Sequence, residues 1–470
     1  MFNNLLRLLI TVCLFKLSAQ GASSPSFAEF DQRAKAGERL NVVFFGASLT
    51  WGANATDPQK TSYRARVSEQ MTAVYPKARF TFWDAAIGGT GSQLGVFRLE
   101  RDVLRHNPDL VFLDFTANDD IYSNTVETLA SYESLVRRII TTGNAPVVQM
   151  ILPFGGNVKA ADLDKMKRRT AHIAISKAYN TTVGDATKLA VERVRSGETT
   201  IDKLWSTDWV HPGDPGYQLF ADAAWTAFQD GVRRGIVCAV PEKLLYADTY
   251  LKHTRCRIST LGELPPGWRL GKPNLSSAFF DMLMSRWLDD EVIASNRVAT
   301  KSGDGKETLA PQQVGRIKVK FRGTMLMLFG EGTLTSGKYR VFIDGSNLAP
   351  ESAAGKGMSL EFDSANLSSL SKGNTHHVQI IVENLDATKD HILEIEPLFA
   401  SDQMQELRIE SICVAGGDAK VFPFNEISKT GGVSSAPTSL DVGNSSSRQP
   451  LTTRKHENAK SSADADPQPF

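Results

Sequence analysis

The chain reads as an α/β domain built on a parallel sheet with helices on both faces, followed by a C-terminal all-β sandwich. Three observations predict this. Between about residues 40 and 235, apolar β-prone runs alternate with segments of helical periodicity, the pattern of a sheet covered by helices. From Val314 the pattern changes to short strands separated by turn residues, as in an antiparallel sandwich. A length of 470 residues also exceeds one typical core and suits two or three domains.

Arg7 and the apolar stretch Leu5 to Leu17, followed by Ser18, Ala19, Gly21 and Ala22, predict a secretory signal peptide over residues 1–22 and a secreted or periplasmic protein. Residues 25–39 are mixed and polar. Val42-Val43-Phe44-Phe45 predicts a strand buried on both faces, and it stops at Gly46-Ala47-Ser48-Leu49-Thr50-Trp51-Gly52. The serine is a candidate nucleophile at the strand's carboxyl end, where open α/β sheets bind ligands; an ordinary loop with a capping serine is the alternative.

Thr61 or Ser62 caps a helix that Pro76 ends, and Phe80 to Ile87 predicts a second strand closed by Gly88-Gly89-Thr90-Gly91-Ser92. A helix from Leu94 to Arg105 leads to a third strand, Asp109 to Thr116, which ends at Ala117-Asn118-Asp119-Asp120. Val126 to Ile140 predicts a helix and Pro146 to Leu152 a fourth strand. Segment 162–180 is helical, and its basic run Lys165, Lys167, Arg168, Arg169 is expected on a solvated face. A strand over 182–184 and helices over 186–195 and 216–234 complete a domain at 25–238.

A connecting segment spans 239–312, with one helix expected over Ser277 to Asp290. The sandwich occupies 313–422, and Asp344-Gly345 is its clearest hairpin turn. Glu383, His391, Glu394 and Glu396 alternate along strands and are expected on a wet sheet face, not around a metal. Residues 423–470 turn to Ser, Thr, Gly, Asn, Asp and Pro, a composition that predicts disorder.

Lys+Arg 53 against Asp+Glu 52 leaves a formal charge of +1, which offers no footprint for nucleic acid or an anionic membrane. Cys238, Cys256 and Cys413 remain after the leader; Cys238 and Cys256 form the more natural pair, with three free thiols as the alternative. Asn54-Ala55-Thr56, Asn180-Thr181-Thr182 and Asn366-Leu367-Ser368 match the glycosylation acceptor pattern.

In a parallel sheet the loops carrying Ser48, Gly89 and Asn118 leave one edge, which brings together a nucleophile and donors for an oxyanion. Asp208-Trp209-Val210-His211, in a Gly/Pro-rich loop entering a helix, adds an imidazole with its orienting carboxylate. These blocks, Gly46-Ala47-Ser48-Leu49, Gly89, Asn118-Asp119 and Asp208-Trp209-Val210-His211, resemble those of the SGNH, or GDSL-type, hydrolase superfamily, in its order and over residues 40–235.

The resemblance implies a flavodoxin-like sheet, a serine esterase without metal or other cofactor, Ser48 as nucleophile, His211 as base and Asp208 as its orienter. It further implies an oxyanion hole from the amides of Ser48 and Gly89 and the side chain of Asn118, with Gly88 as rival to Gly89. Ala47, Asp84 and Thr116 depart from the superfamily pattern and leave the subfamily open. Superfamily members with a β-sandwich are often secreted carbohydrate O-acetylesterases, so an acetylated polysaccharide is the expected substrate. Trp51, Trp205 and Trp209 are candidates for stacking on a sugar or for packing the loop edges. A lipolytic or general short-chain esterase and a secreted carbohydrate-binding protein are the alternatives.

Overall fold

The computed structural model describes residues 24–274, 287–301, 307–350, 360–365, 368 and 373–426. The leader expected at 1–22, most of the helix expected over Ser277 to Asp290, the acceptor pattern at Asn366 and the tail beyond Glu426 lie outside the described residues. The chain divides into two compact units, the first running to Arg255 and the second taking most of the residues from Cys256 onward.

The first unit is a five-stranded parallel sheet of β1 (Arg39–Gly46), β2 (Arg79–Ala86), β3 (Leu110–Leu113), β4 (Val147–Met150) and β5 (Thr182–Gly184), in the order β2-β1-β3-β4-β5. The chain steps from β1 outward to β2 and then returns across β1 to β3. The direction of winding thus reverses beside β1, and the crevice at such a reversal is where open α/β sheets bind ligands. Phe44 and Phe45 point to opposite faces and both are buried; Phe44 stacks on Phe112 at 4.9 Å and Phe45 meets Phe115 edge-on at 5.3 Å. Full burial of such a side chain contributes about 1.5–3 kcal/mol, so a run of them can only be a central strand.

Ten α-helices accompany the sheet among the described residues: α1 (Phe27–Ala36), α2 (Ser48–Trp51), α3 (Tyr63–Val74), α4 (Ser92–Asp102), α5 (Val126–Thr141), α6 (Gly155–Ala160), α7 (Lys167–Ala178), α8 (Ala186–Arg195), α9 (Ile201–Leu204) and α10 (Asp214–Arg233). Ser62 caps α3 by accepting from the Ala65 N–H at 3.3 Å. The polar stretch at 25–39 hides α1, which buries Phe27, Phe30 and Ala34, with Phe30 edge-on to Phe228 of α10.

The basic run on α7 is not uniformly solvated. Arg168 is fully buried, donating to the Asp120 carbonyl at 2.9 Å and Thr128 Oγ1 at 2.6 Å, and Arg169 pairs with Asp185 at 2.6 Å. Helical periodicity alone does not say which cation turns inward. The first unit also continues past residue 238. Glu133, fully buried on α5, accepts from the Leu245 N–H, the Tyr246 N–H and the Tyr179 hydroxyl, each at 2.9 Å, and so fastens that segment down. Cys238, Cys256 and Cys413 are reduced thiols, so the disulfide considered for the first two does not form.

In the second unit, the strands 317–322, 338–343, 346–347, 391–398 and 420–421 belong to one sheet, and 268–271, 291–295, 325–332, 375–382 and 406–415 to another. The strand pairs are antiparallel. The two sheets meet where Tyr339 Oη lies 2.7 Å from His377 Nε2. Strands at 268–271 and 291–295 and the hairpin of 297–301 with 307–311 fall in the stretch expected as a connector. Asp344 and Gly345 form the two-residue turn with φ of 51° and 80°, joining paired Ile343 and Ser346. Glu394 pairs with Arg316 and Lys318, and His391 Nδ1 lies 2.7 Å from Asp344 Oδ2.

Candidate active site

Strand β1 ends at Gly46 and the chain turns at Ala47 into the four-residue helix α2, whose first residue is Ser48. A Cβ on Gly46 would lie 2.2 Å from Thr50 Oγ1 and 2.7 Å from the Asp114 carbonyl, so only glycine lets α2 fold back this tightly. Gly52, at φ 102°, ends the helix in the left-handed region. Ser48 sits in the first helical turn, where amide N–H groups have no acceptor within the helix and can face an anion.

His211 Nε2 lies 2.9 Å from Ser48 Oγ, although 163 residues separate the two in sequence. His211 Nδ1 lies 3.4 Å from Asp208 Oδ2, and Asp208 Oδ1 accepts from the N–H groups of Val210 at 2.7 Å and His211 at 2.6 Å. The Asp-x-x-His spacing therefore closes a turn in which the carboxylate caps the backbone and orients the ring with its other oxygen. Burial pushes the Asp208 carboxyl up, but the bonds from the His211 ring and from the two backbone amides outweigh it and bring it down to about 2. An ionised carboxylate, an imidazole and a hydroxyl in this sequence can pass the serine proton to the ring and stabilise the charge that forms.

The other candidate groups lie on the two neighbouring loops. Gly89 and Asn118 come after β2 and β3, which flank β1 on either side. Gly89 has φ 71° and is exposed, while Gly88 is buried; Asn118 is partly exposed. Asp119, which went without a role in the sequence, joins these loops: it accepts from the Ser92 N–H at 2.9 Å and from Ser92 Oγ at 2.5 Å. Burial raises its carboxyl to about 6, against the lowering effects of the Arg168 charge and the Ser92 bonds. Arg168, from behind, holds the carbonyl of Asp120.

Beneath α2, the carboxyl of buried Asp114 accepts from Thr50 Oγ1 at 3.2 Å, and burial pushes it up to about 8. The tryptophans separate clearly. Trp51 is 9% exposed and packs with Ala53 and Ala86, so it is part of the core and not a platform for a ligand; Trp205 is 4% exposed. Trp209 is 48% exposed, next to Asp208, with Lys159 Nζ 5.1 Å from its ring centroid. Asn54, in sequence a match only to the glycan acceptor pattern, donates from Nδ2 to Asp208 Oδ2 at 2.7 Å.

A doubly flanked parallel sheet with Ser48, His211 and Asp208 in contact at its carboxyl edge defines the chain's first unit as an α/β hydrolytic domain. Residues 44–219 match the model of the GDSL-like Lipase/Acylhydrolase family, in keeping with a carboxylic ester hydrolase. Among solved structures, the chain is similar to a two-domain esterase (CEX) active on acetylated mannans. In its co-crystal with mannopentaose the TM-score is 0.61 and the identity 22%, over 85% of this chain and 97% of that one. A second structure of a two-domain esterase (CEX) active on acetylated mannans gives a TM-score of 0.60 and 23% identity, over 83% and 95% of the two chains. This likeness extends the shared architecture to the antiparallel sheets that come after the parallel one. Comparison with curated proteins gives no significant match.

Proposed function

We propose that the protein is a secreted serine esterase that removes O-acetyl groups from a polysaccharide. The observation that carries the chemistry is the 2.9 Å approach of His211 Nε2 to Ser48 Oγ, with Asp208 behind the ring. In the reaction, His211 takes the Ser48 proton as Oγ attacks the acyl carbonyl. The negative oxygen is held by the amides of Ser48 and Gly89 and the side chain of Asn118. His211 returns its proton to the departing sugar hydroxyl, and water then hydrolyses the acyl-enzyme by the same route. Asp208 keeps its charge throughout.

A carbohydrate substrate is supported by the exposed Trp209 ring beside the catalytic loop, a flat apolar face suited to a pyranose, and by the named activity of the two-domain esterases with this architecture. The leader over residues 1–22 supports export to where such polymers lie. Acetate release from acetylated mannan, acetylated xylan and other acetylated polymers tests the proposal beside Ser48→Ala. Release from one polymer, absent in the variant, is the expected result. Trp209→Ala should lose about tenfold more activity on that polymer than on 4-nitrophenyl acetate. Activity confined to long-chain aryl esters would instead make the protein lipolytic, and polysaccharide binding without any turnover would make it a binding protein.

A further inference from the structure

The short segment after α2 fastens the loop that carries His211 and Asp208 to the turn that carries Ser48. Three residues of it take part. The Ala53 carbonyl accepts from Tyr217 Oη at 2.6 Å, Asn54 Nδ2 donates to Asp208 Oδ2 at 2.7 Å, and Thr56 donates twice to Asp214, from N at 2.9 Å and from Oγ1 at 2.6 Å. Only the Asn54 bond reaches the proposed relay. Asn54 adopts φ 66°, a left-handed conformation that asparagine tolerates better than most side chains, two residues after Gly52 at φ 102°. That double turn is what points the amide across at the carboxylate.

We propose that Asn54 is a positioning residue of the active site, setting the place of Asp208 and, through it, of the His211 ring relative to Ser48. Resting on the serine-hydrolase reading, it adds a fourth side chain to the relay. The geometry gives the reason. Oδ1 of Asp208 is already occupied by the two backbone amides of its own loop, so those bonds fix the carboxylate within the loop but not against the nucleophile. Oδ2 is shared between His211 Nδ1 at 3.4 Å and Asn54 Nδ2 at 2.7 Å, and the shorter of these bonds comes from the nucleophile's side. Of the three ties between these segments, Asn54 is thus the one that places the Asp208 carboxylate itself relative to the nucleophile's turn. The match of Asn54-Ala55-Thr56 to a glycan acceptor is explained otherwise by the same contacts, since both Asn54 and Thr56 are engaged within the fold.

Two variants and two measurements test this. Asn54→Ala removes the amide; Asn54→Asp keeps its size and its tolerance for a left-handed backbone but no longer donates once ionised. With 4-nitrophenyl acetate as probe, both should lower kcat on the order of tenfold, the usual worth of one hydrogen bond to a charged group, with KM changed less than about twofold. In full-length protein, the far-downfield proton resonance of His211 Nδ1–H, identified by its loss in His211→Gln, should move in both variants. A resonance that stays in place, or a kcat that stays within about twofold of the unaltered protein in Asn54→Asp, overturns the role. The resonance is read without substrate, so it judges Asn54 even if activity assays refute the esterase reading, which full turnover by Ser48→Ala would do.

Discussion

Replacing Asp208 by asparagine keeps the shape of the proposed relay and removes its logic. The amide oxygen can still accept from the Val210 and His211 N–H groups that now lie at 2.7 and 2.6 Å. Its NH2 group then occupies the place of Oδ2, facing His211 Nδ1. Asn54 can turn its own amide to accept from it, but the imidazole has no such freedom: Nδ1 must become the acceptor and Nε2 the protonated nitrogen. A protonated Nε2 cannot accept from Ser48 Oγ 2.9 Å away, so the nucleophile loses its base. The expected loss is on the order of ten-thousandfold in kcat, about 5 kcal/mol of barrier. Stability should also respond. The Asp208 carboxyl titrates at about 2 in the fold against 3.8 ordinarily, so its ionised form contributes on the order of 2 kcal/mol above pH 4, which is lost as the pH falls toward 2. The assay is hydrolysis of 4-nitrophenyl acetate at neutral pH, with denaturant unfolding at pH 7 and pH 3 of both proteins. A fall in kcat of less than tenfold would refute the tautomer argument.

Three further outcomes are expected. Gly91→Ala would put a Cβ 2.3 Å from Asp119 Oδ1, displacing the carboxylate that ties the Gly89 loop to the Asn118 loop, so kcat should fall with little change in KM; unchanged turnover would separate that tie from catalysis. Arg168→Ala would leave the Asp120 carbonyl and the Asp119 charge without their buried partner, a loss on the order of 3 kcal/mol that thermal unfolding should register as a drop of several degrees. Asp114 titrates at about 8 in the fold and near 3.8 when unfolded, so between those values the folded chain holds the extra proton and stability falls as pH rises. Asp114→Asn should flatten that slope, as measured by denaturant midpoints at pH 5 and pH 8.

Much of the architecture is legible in the amino-acid order because it depends on local chemistry. Val42 to Phe45 is apolar at every position, which fits a strand covered on both faces; Thr182 to Gly184 and Ala186 to Arg195 begin and end where turn residues and periodicity place them. Asp344-Gly345 demands positive φ at two positions and takes it. Ser48, Asp208 and His211 stand out as candidates in the sequence because a Gly-bounded serine after a buried strand and an Asp-x-x-His loop each have a recognisable local form.

What only the tertiary structure decided involves pairs that are distant along the chain. Trp51 and Trp209 look equivalent beside their motifs, yet one packs against Ala53 and Ala86 and the other faces solvent. The basic run on α7 carries no mark that Arg168 turns inward to Asp120, and nothing around Glu133 announces that its carboxylate will meet the amides of Leu245 and Tyr246. Asn54 reads as a glycan acceptor until the order of the strands brings Asp208, 154 residues away, to within 2.7 Å. Periodicity and turn chemistry act over a few residues and leave a pattern in sequence. A buried polar group finds its partner only after the sheet has assembled, because the partner is set by strand order and not by spacing.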